Sequence, residues 1–450
     1  MTTAVSAVSH NLPPGPDVWG LLKGLVQLRT DRLTPLEDIM RTYGDIAYFR
    51  VVGHQFFFVN HPDHYHEILV TRHKDFHKDE GYRFLEALLG KGLLTSEDAF
   101  HLRQRRMIQP AFHRQRIAEY GAAMVDCARV ARDRWRDGQA IDAAAEMMAV
   151  ALDIVGRTLF NTDTHGYAQT IAHAMDTVLQ FDERYFLPGG TLLNHLPLPS
   201  TRRFKAALRD LDRVIYQMIA EHRAEGDRKD LLTMLLHARD EDDGTQMTDR
   251  QVRDEALTLF LAGHETTANA LAWTWFCLSR NPDAEAKLHA EVDAVLAGRD
   301  ATADDYAALP YTKQVFAEAM RLYPPAYAFG RKAIRDTEVG GYPMPKGSQV
   351  AMSPFVIQRD ARYYPEPEAF RPERFEPEAW AQRPKFAYAP FGGGNRRCIG
   401  EPFAWMEGVL VLATLAQRWR LSCAPDLVPI PDPKVTLRPR GGLPMTVHAR

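Results

Sequence analysis

FGGGNRRCIG, residues 391–400, places three consecutive glycines and two arginines ahead of one cysteine, and the role of that cysteine decides how the chain is read. A cysteine can be half of a disulfide, a zinc ligand, a nucleophile, a buried filler or a thiolate ligand to iron. Gly392, Gly393 and Gly394 permit positive φ angles and remove Cβ atoms, so backbone and a bulky flat group can approach closely. The apolar run FAWMEGVLVLATLAQRW follows at once and predicts a helix whose amide-rich end points at the sulfur. That field favours thiolate over thiol, whose free pKa is about 8.5. An iron ligand fits, and so does a glycine-rich turn with an incidental cysteine.

Composition narrows the classes. The chain has 450 residues, 45% hydrophobic and 25% charged, with a formal net charge of -3, as in a globular protein with a substantial core. Disorder, a coiled coil and a nucleic-acid partner are not expected. No Ser/Gly-rich linker, charge block or repeat divides the sequence, so the reading is an N-terminal segment over 1–37 and one domain over 38–450. MTTAVSAVSHNLPPGPDVWG lacks the basic start and apolar core of a signal peptide, and no run reaches the roughly 18 apolar residues of a membrane span. A cytoplasmic monomer is expected. Cys127, Cys277, Cys398 and Cys423 are far apart with no CxxC pair, which argues against a disulfide framework or a zinc site. Cys127 and Cys277, among Val, Ala, Trp and Phe in helical patterns, read as apolar filler.

Along the chain, DIAYFRVVGHQFFFVN predicts a β-hairpin around Gly-His. Long helical patterns run from about residue 98 to 324, including RQRIAEYGAAMVDCARVARDRW and DRQVRDEALTLFLAGHETTANALAWTWFCLSR. The second is apolar nearly all round after Ala256, so it crosses the interior. Beyond 324 come prolines, short β-type runs such as GSQVAMSPFVI, and the irregular YYPEPEAFRPERFEPEAW. The fold class is mainly α with a smaller β portion.

Four segments together carry a resemblance. The cysteine loop has the form F-G-x-G-x-R-x-C-x-G; EAMR (Glu318 to Arg321) precedes LYPP; PERF spans 372–375; AGHETT spans 262–267. In this order and spacing they resemble the cytochrome P-450 superfamily, the haem-thiolate monooxygenases. The resemblance implies a triangular helical prism with haem b held between the central long helix and the cysteine-loop helix, and Cys398 as axial ligand. It further implies dioxygen as co-substrate, an apolar substrate such as a terpenoid, fatty acid or steroid-like molecule, and NAD(P)H acting indirectly. No G-x-G-x-x-G follows a strand, so electrons are expected from a separate ferredoxin or flavodoxin with its reductase. Two alternatives are a peroxygenase using hydrogen peroxide and a non-enzymatic haem or electron-transfer protein.

Site residues follow from the motifs. Phe391, Arg396 and Gly400 match the loop pattern as haem-binding positions. Within HLRQRR, His101 and Arg105 share one helix face and suit propionates, while Arg103 and Arg106 fall roughly opposite. The family commonly has Trp where His101 stands, so this chain departs from the pattern there, although several bacterial members have His. Arg331, after the PP turn, matches a further propionate position. Glu318 and Arg321 pair three apart on a helix, and by resemblance Arg374 of PERF joins them in a structural triad. Glu265 and Thr266 are the expected acid-alcohol pair for proton delivery; back-bonding of Thr266 to the Ala262 carbonyl is the bland alternative. Gly263 costs about 1 kcal/mol relative to Ala in mid-helix, for which room beside iron is the expected compensation. His264 is expected to point away from the haem. The five histidines of NHPDHYHEILVTRHKDFH are read as solvated, not metal-binding. Pocket candidates are Phe84, Leu88, Leu89, Phe181, Leu187, Ala262, Gly263, Ala328 and Phe329, each of which could instead be core. Arg103, Arg106 and Arg397 are read as a positive patch for an acidic electron donor, or as ordinary charged surface.

Overall fold

The computed structural model describes residues 12–27, 31–51, 53–161, 174, 177, 196, 198–226 and 230–450. They form two compact units, each assembled from separate stretches of chain.

The first unit, drawn from residues 1–80, 328–367 and 383–397, is built on a sheet. The expected hairpin is there: Ile46–Val51 pairs antiparallel with His54–Val59, and Gly53 at the turn has φ +82°. His54–Val59 then runs parallel to Gln349–Met352, which pairs antiparallel with Phe329–Ala333, and Phe76–His77 closes the edge. Phe57, Val59, Val350 and Met352 alternate onto one face and are buried with Tyr65, Ile68, Val339 and Phe386. The N-terminal stretch joins this sheet, since Tyr48 N donates to Pro14 O at 2.9 Å. GSQVAMSPFVI divides into the strand Gln349–Met352 and a short helix Pro354–Ile357 capped by Ser353.

The second unit is mainly helical. Its axis is the 32-residue helix Asp249–Arg280. The sequence MTDRQ starts it through a capping box: Thr248 Oγ1 accepts from Gln251 N at 3.3 Å and Gln251 Oε1 accepts from Thr248 N at 2.7 Å. Asn281 and Pro282 end it. Ala143–Leu159, Pro310–Leu322 and the cysteine-loop helix Glu401–Ala416 pack against it, and Arg114–Arg134 packs on the last of these. Trp273 stacks on Tyr323 with ring centres 4.0 Å apart. Cys127 and Cys277 are buried filler, as expected. Among the described residues no helix is long and apolar enough to cross a membrane.

Candidate functional site

From Val252 to Trp275 every residue of the central helix is buried except Ala262, Gly263 and Thr266. Positions i, i+1 and i+4 share one helix face, so a single accessible strip interrupts an interior helix where AGHETT lies. Gly263 has a packing reason as well. A Cβ there would stand 3.0 Å from Val155 Cγ2 of Ala143–Leu159, so close helix packing helps offset its propensity cost. Thr266 Oγ1 donates to the Ala262 carbonyl at 2.7 Å, the back-bonded geometry. His264 is buried; its Nδ1 contacts Phe260 O at 2.8 Å, its ring tilts on Phe260, and burial lowers its pKa. Among the described residues no cluster of three or more His, Cys, Asp or Glu side chains is arranged to hold a metal ion.

Glu265 is nearly fully buried, and its Oε1 accepts from Thr436 Oγ1 at 2.5 Å and from Arg438 Nε at 2.8 Å. Asn269 Nδ2 donates to the same Thr436 hydroxyl at 3.0 Å, and Trp273 Nε1 donates to Leu437 O at 3.1 Å. Glu265, Asn269 and Trp273, four apart, thus bind the stretch Thr436–Arg438 along one helix side. These partners lie about 170 residues downstream in a short strand without any motif, so sequence reasoning missed them.

Cys398 is an exposed residue three positions before the start of the helix Glu401–Ala416. Arg105, half-buried on Asp98–Ile108, feels the Cys398 charge, which opposes the lowering of its pKa by burial. His101, one turn earlier on that helix, is buried. Gly400 lies where an added Cβ would be 3.9 Å from the sulfur. Deeper in the same unit, Arg321 Nε and Nη2 meet the two oxygens of Glu318 at 2.7 and 2.8 Å. Arg374 Nε stands 3.3 Å from Glu318 Oε1, which also accepts from Arg371 N at 2.9 Å. All three side chains of this cluster are buried, so the triad anchors the PERF turn onto Pro310–Leu322.

Phe391, Arg396 and Arg331 belong to the first unit. Phe391 and Arg396 are half-buried in the loop. Gly392 and Gly394 adopt φ +66°, but the space freed at Gly393 and Gly394 is taken by the protein itself. Added Cβ atoms would stand 2.3 Å from the Phe386 ring and 1.9 Å from Leu69 O, so these two glycines answer to packing and not to a flat ligand. Arg331 is nearly buried, its Nη1 donating to Gly330 O at 2.7 Å and its guanidinium over the Phe329 ring. Ala328 is exposed and Phe329 half-buried. Of the remaining pocket candidates, Leu88 and Leu89 are buried in the second unit. Phe84 lies on the helix Tyr82–Leu89 with its side chain outside the described residues, and Phe181 and Leu187 lie outside them altogether.

A further expectation changes. Arg103 and Arg106 are not an open positive patch: Arg103 Nε pairs with Asp240 Oδ2 at 2.8 Å, and Arg106 Nη2 with Asp242 Oδ2 at 2.6 Å. Acidic residues of the loop after helix Leu231–His237 neutralise them. Arg397 is exposed.

A family profile described as Cytochrome P450 matches residues 13–444, beginning well before Asp38. Cyclooctatin synthase of Streptomyces melanosporofaciens is 40% identical, covering 96% of this chain and 93% of that protein. Pentalenene oxygenase of Streptomyces avermitilis is 36% identical over 86% of each chain. Cyclooctat-9-en-7-ol 5-monooxygenase of S. melanosporofaciens is 36% identical over 93% of each.

Proposed function

This chain belongs to the cytochrome P450 family, a monooxygenase of it, and from that premise we propose that it hydroxylates a cyclic terpenoid. The substrate class rests on the names of the three relatives and on the apolar character of Ala262 and Gly263 in the accessible strip. That strip, on an otherwise buried helix, is the observation that carries the reading.

The residues fit the haem that the family implies. An exposed cysteine, a half-buried guanidinium that feels its charge and an uncovered face on an interior helix suit a large, flat, anionic group. Within the second unit Cys398 would hold the iron, with Gly400 as a loop contact and His101 and Arg105 meeting the propionates; for Phe391, Arg331 and Arg396 the haem-binding role rests on their match to the family motifs alone. When bound, the haem supplies the activation of dioxygen. The chain supplies the rest. Ala262 and Gly263 leave room for substrate. Thr266 Oγ1, released from the Ala262 carbonyl, would donate a proton at the reacting oxygen, and Glu265, released from Arg438 and protonated from solvent, would return a proton to the Thr266 oxygen. Glu318, Arg321 and Arg374 hold the scaffold. Electrons are supplied by a separate ferredoxin or flavodoxin with an NAD(P)H-dependent reductase, and the protein acts in the cytoplasm.

The test is a panel of cyclic sesquiterpene and diterpene hydrocarbons and alcohols, with fatty acids and steroids as comparison, added to the haem-loaded protein. Spin-state shifts and oxygenated products confined to the terpenoids are expected. Turnover of fatty acids or steroids with no response to any terpenoid would reject this substrate class.

A further inference from the structure

Near the start of the chain lies a short helix, Val18–Gln27, that no step above uses. Its outer side is apolar: Val18 is 70% exposed, Trp19 77% and Leu22 49%. With 3.6 residues per turn these three fall within about a third of the helix circumference and form one face. Large apolar side chains gathered on a surface mark an interaction site, whereas single ones do not. The face is carried by a fixed element. Ahead of the helix Pro13 is buried, and a Cβ added to Gly15 would stand 1.7 Å from Tyr48 O, so the chain is pressed onto the strand Ile46–Val51. Asp17 Oδ1 then accepts from Gly20 N at 2.7 Å and starts the helix. Behind it, Asp31 Oδ1 accepts from Leu33 N at 2.9 Å and from Thr34 N at 3.1 Å, and Leu33 is buried. Both ends are held, and the apolar side faces outward.

Area, length and charge choose the occupant. The three side chains expose roughly 300–400 Å², on the scale of two aromatic side chains. A stable protein interface needs about 800 Å² from each partner, so this face alone is too small to hold a second copy. A lipid surface asks for less, because an amphipathic helix lies in the headgroup layer with only its apolar side immersed. The helix has 10 residues, about 15 Å at 1.5 Å per residue, half of a ~30 Å hydrocarbon core. It can lie on a bilayer and not cross one. Tryptophan, with an apolar body and a polar N–H, suits that boundary. The helix holds no acidic residue, and its single charge is the exposed Lys23, which neighbours Trp19 around the helix and favours anionic lipid.

We propose that the helix Val18–Gln27 is a peripheral membrane contact: Val18, Trp19 and Leu22 enter the headgroup layer of an anionic bilayer, and Lys23 lies against its surface. An apolar terpenoid partitions into lipid, so this contact would keep the enzyme where its substrate collects. That consequence rests on the substrate class proposed above; the contact itself does not.

The test is flotation of the full-length, haem-loaded protein with vesicles of phosphatidylcholine and phosphatidylglycerol in equal parts, and with vesicles of phosphatidylcholine alone. Wild type should float with the mixed vesicles. The double variant Trp19→Ser/Leu22→Ser should lose about tenfold or more in affinity. Lys23→Gln should lose about fivefold on the mixed vesicles and nothing on neutral ones, the effect of one cation near an anionic surface. Val428→Ser is the control: Val428 is 81% exposed but lies in the other unit, and its loss should change nothing. Lipids brominated on the acyl chain should quench wild-type tryptophan fluorescence, and Trp19→Phe should float as wild type does while losing that quenching. A wild type that stays behind the vesicles would overturn the proposal. So would equal losses in Val428→Ser and the double variant, which would make the binding nonspecific. A dimer in the absence of lipid, abolished by Trp19→Ser/Leu22→Ser, would give the face to a second copy instead. Flotation needs neither substrate nor turnover, so a failure of the terpenoid reading leaves its outcome intact.

Discussion

Arg438 Nη2 lies 2.7 Å from Glu265 Oε1, joining the acid of AGHETT to a strand that carries no recognisable motif. The Glu265 side chain is 2% exposed and that of Arg438 24%, so the ion pair links an interior carboxylate to a group that reaches solvent. Removing either partner leaves the other poorly compensated. Contacting residues in one network typically couple by 0.5–3 kcal/mol, so Glu265→Gln and Arg438→Gln should each destabilise, and the double variant by less than their sum. Chemical denaturation of all four proteins measures this. Additive losses would show that the pair contributes no mutual stabilisation.

Thr266 gives a sharper test of proton delivery. Its hydroxyl is engaged with the Ala262 carbonyl. Losing a bond of that kind alone costs under about 1 kcal/mol. If the hydroxyl also delivers protons, Thr266→Ala should keep substrate affinity while product per NAD(P)H falls and hydrogen peroxide rises, and Thr266→Ser should restore most of the coupling. Equal coupling in wild type and Thr266→Ala would take the role from this residue.

For the Glu318 cluster, Glu318→Ala should be far more damaging than a surface change. It would leave Arg321 and Arg374 buried without their carboxylate, a loss of about 3–5 kcal/mol. Soluble yield and denaturation midpoint check this. A loss below about 1 kcal/mol would mean that the cluster relaxes or admits water.

Glu407 of the cysteine-loop helix is 0% exposed, and burial raises its pKa well above the ordinary range. A carboxyl whose folded pKa is raised binds its proton more tightly in the folded state. Its stabilising contribution is complete below the unfolded value of about 4.3 and is lost as pH rises toward the folded value. Glu407→Gln should therefore gain on wild type with rising pH, by up to about 1.4 kcal/mol per unit over that window. A pH-independent difference between the two stability curves would contradict a neutral Glu407.

The helices and hairpin were legible because periodicity, capping and apolar runs are local. The Asp249–Arg280 helix matches its sequence segment end to end. Glu318 and Arg321 were legible because three residues on a helix fix a shared face; Arg374 required the resemblance. The partners of Glu265 were not legible, nor were those of the buried Arg253, Asp254 and Glu255, which bind Leu88 O, Lys91 N and Leu93 N, since both sets join residues more than 160 positions apart through tertiary packing. One signal was present: three charges immediately ahead of a segment that is nearly apolar all round imply buried compensation, though not where it comes from. The two arginines facing Asp240 and Asp242 show the converse, where helix geometry gave their direction but not the acidic loop that meets them.

The central claim is that Cys398 holds haem iron as a thiolate. Its most direct test is the carbon monoxide difference spectrum of the reduced, haem-loaded protein beside that of Cys398→Ser. The account predicts the red-shifted band of thiolate ligation in wild type and its loss in the variant. A wild type without that band, or a Cys398→Ser protein that keeps it, would contradict the assignment.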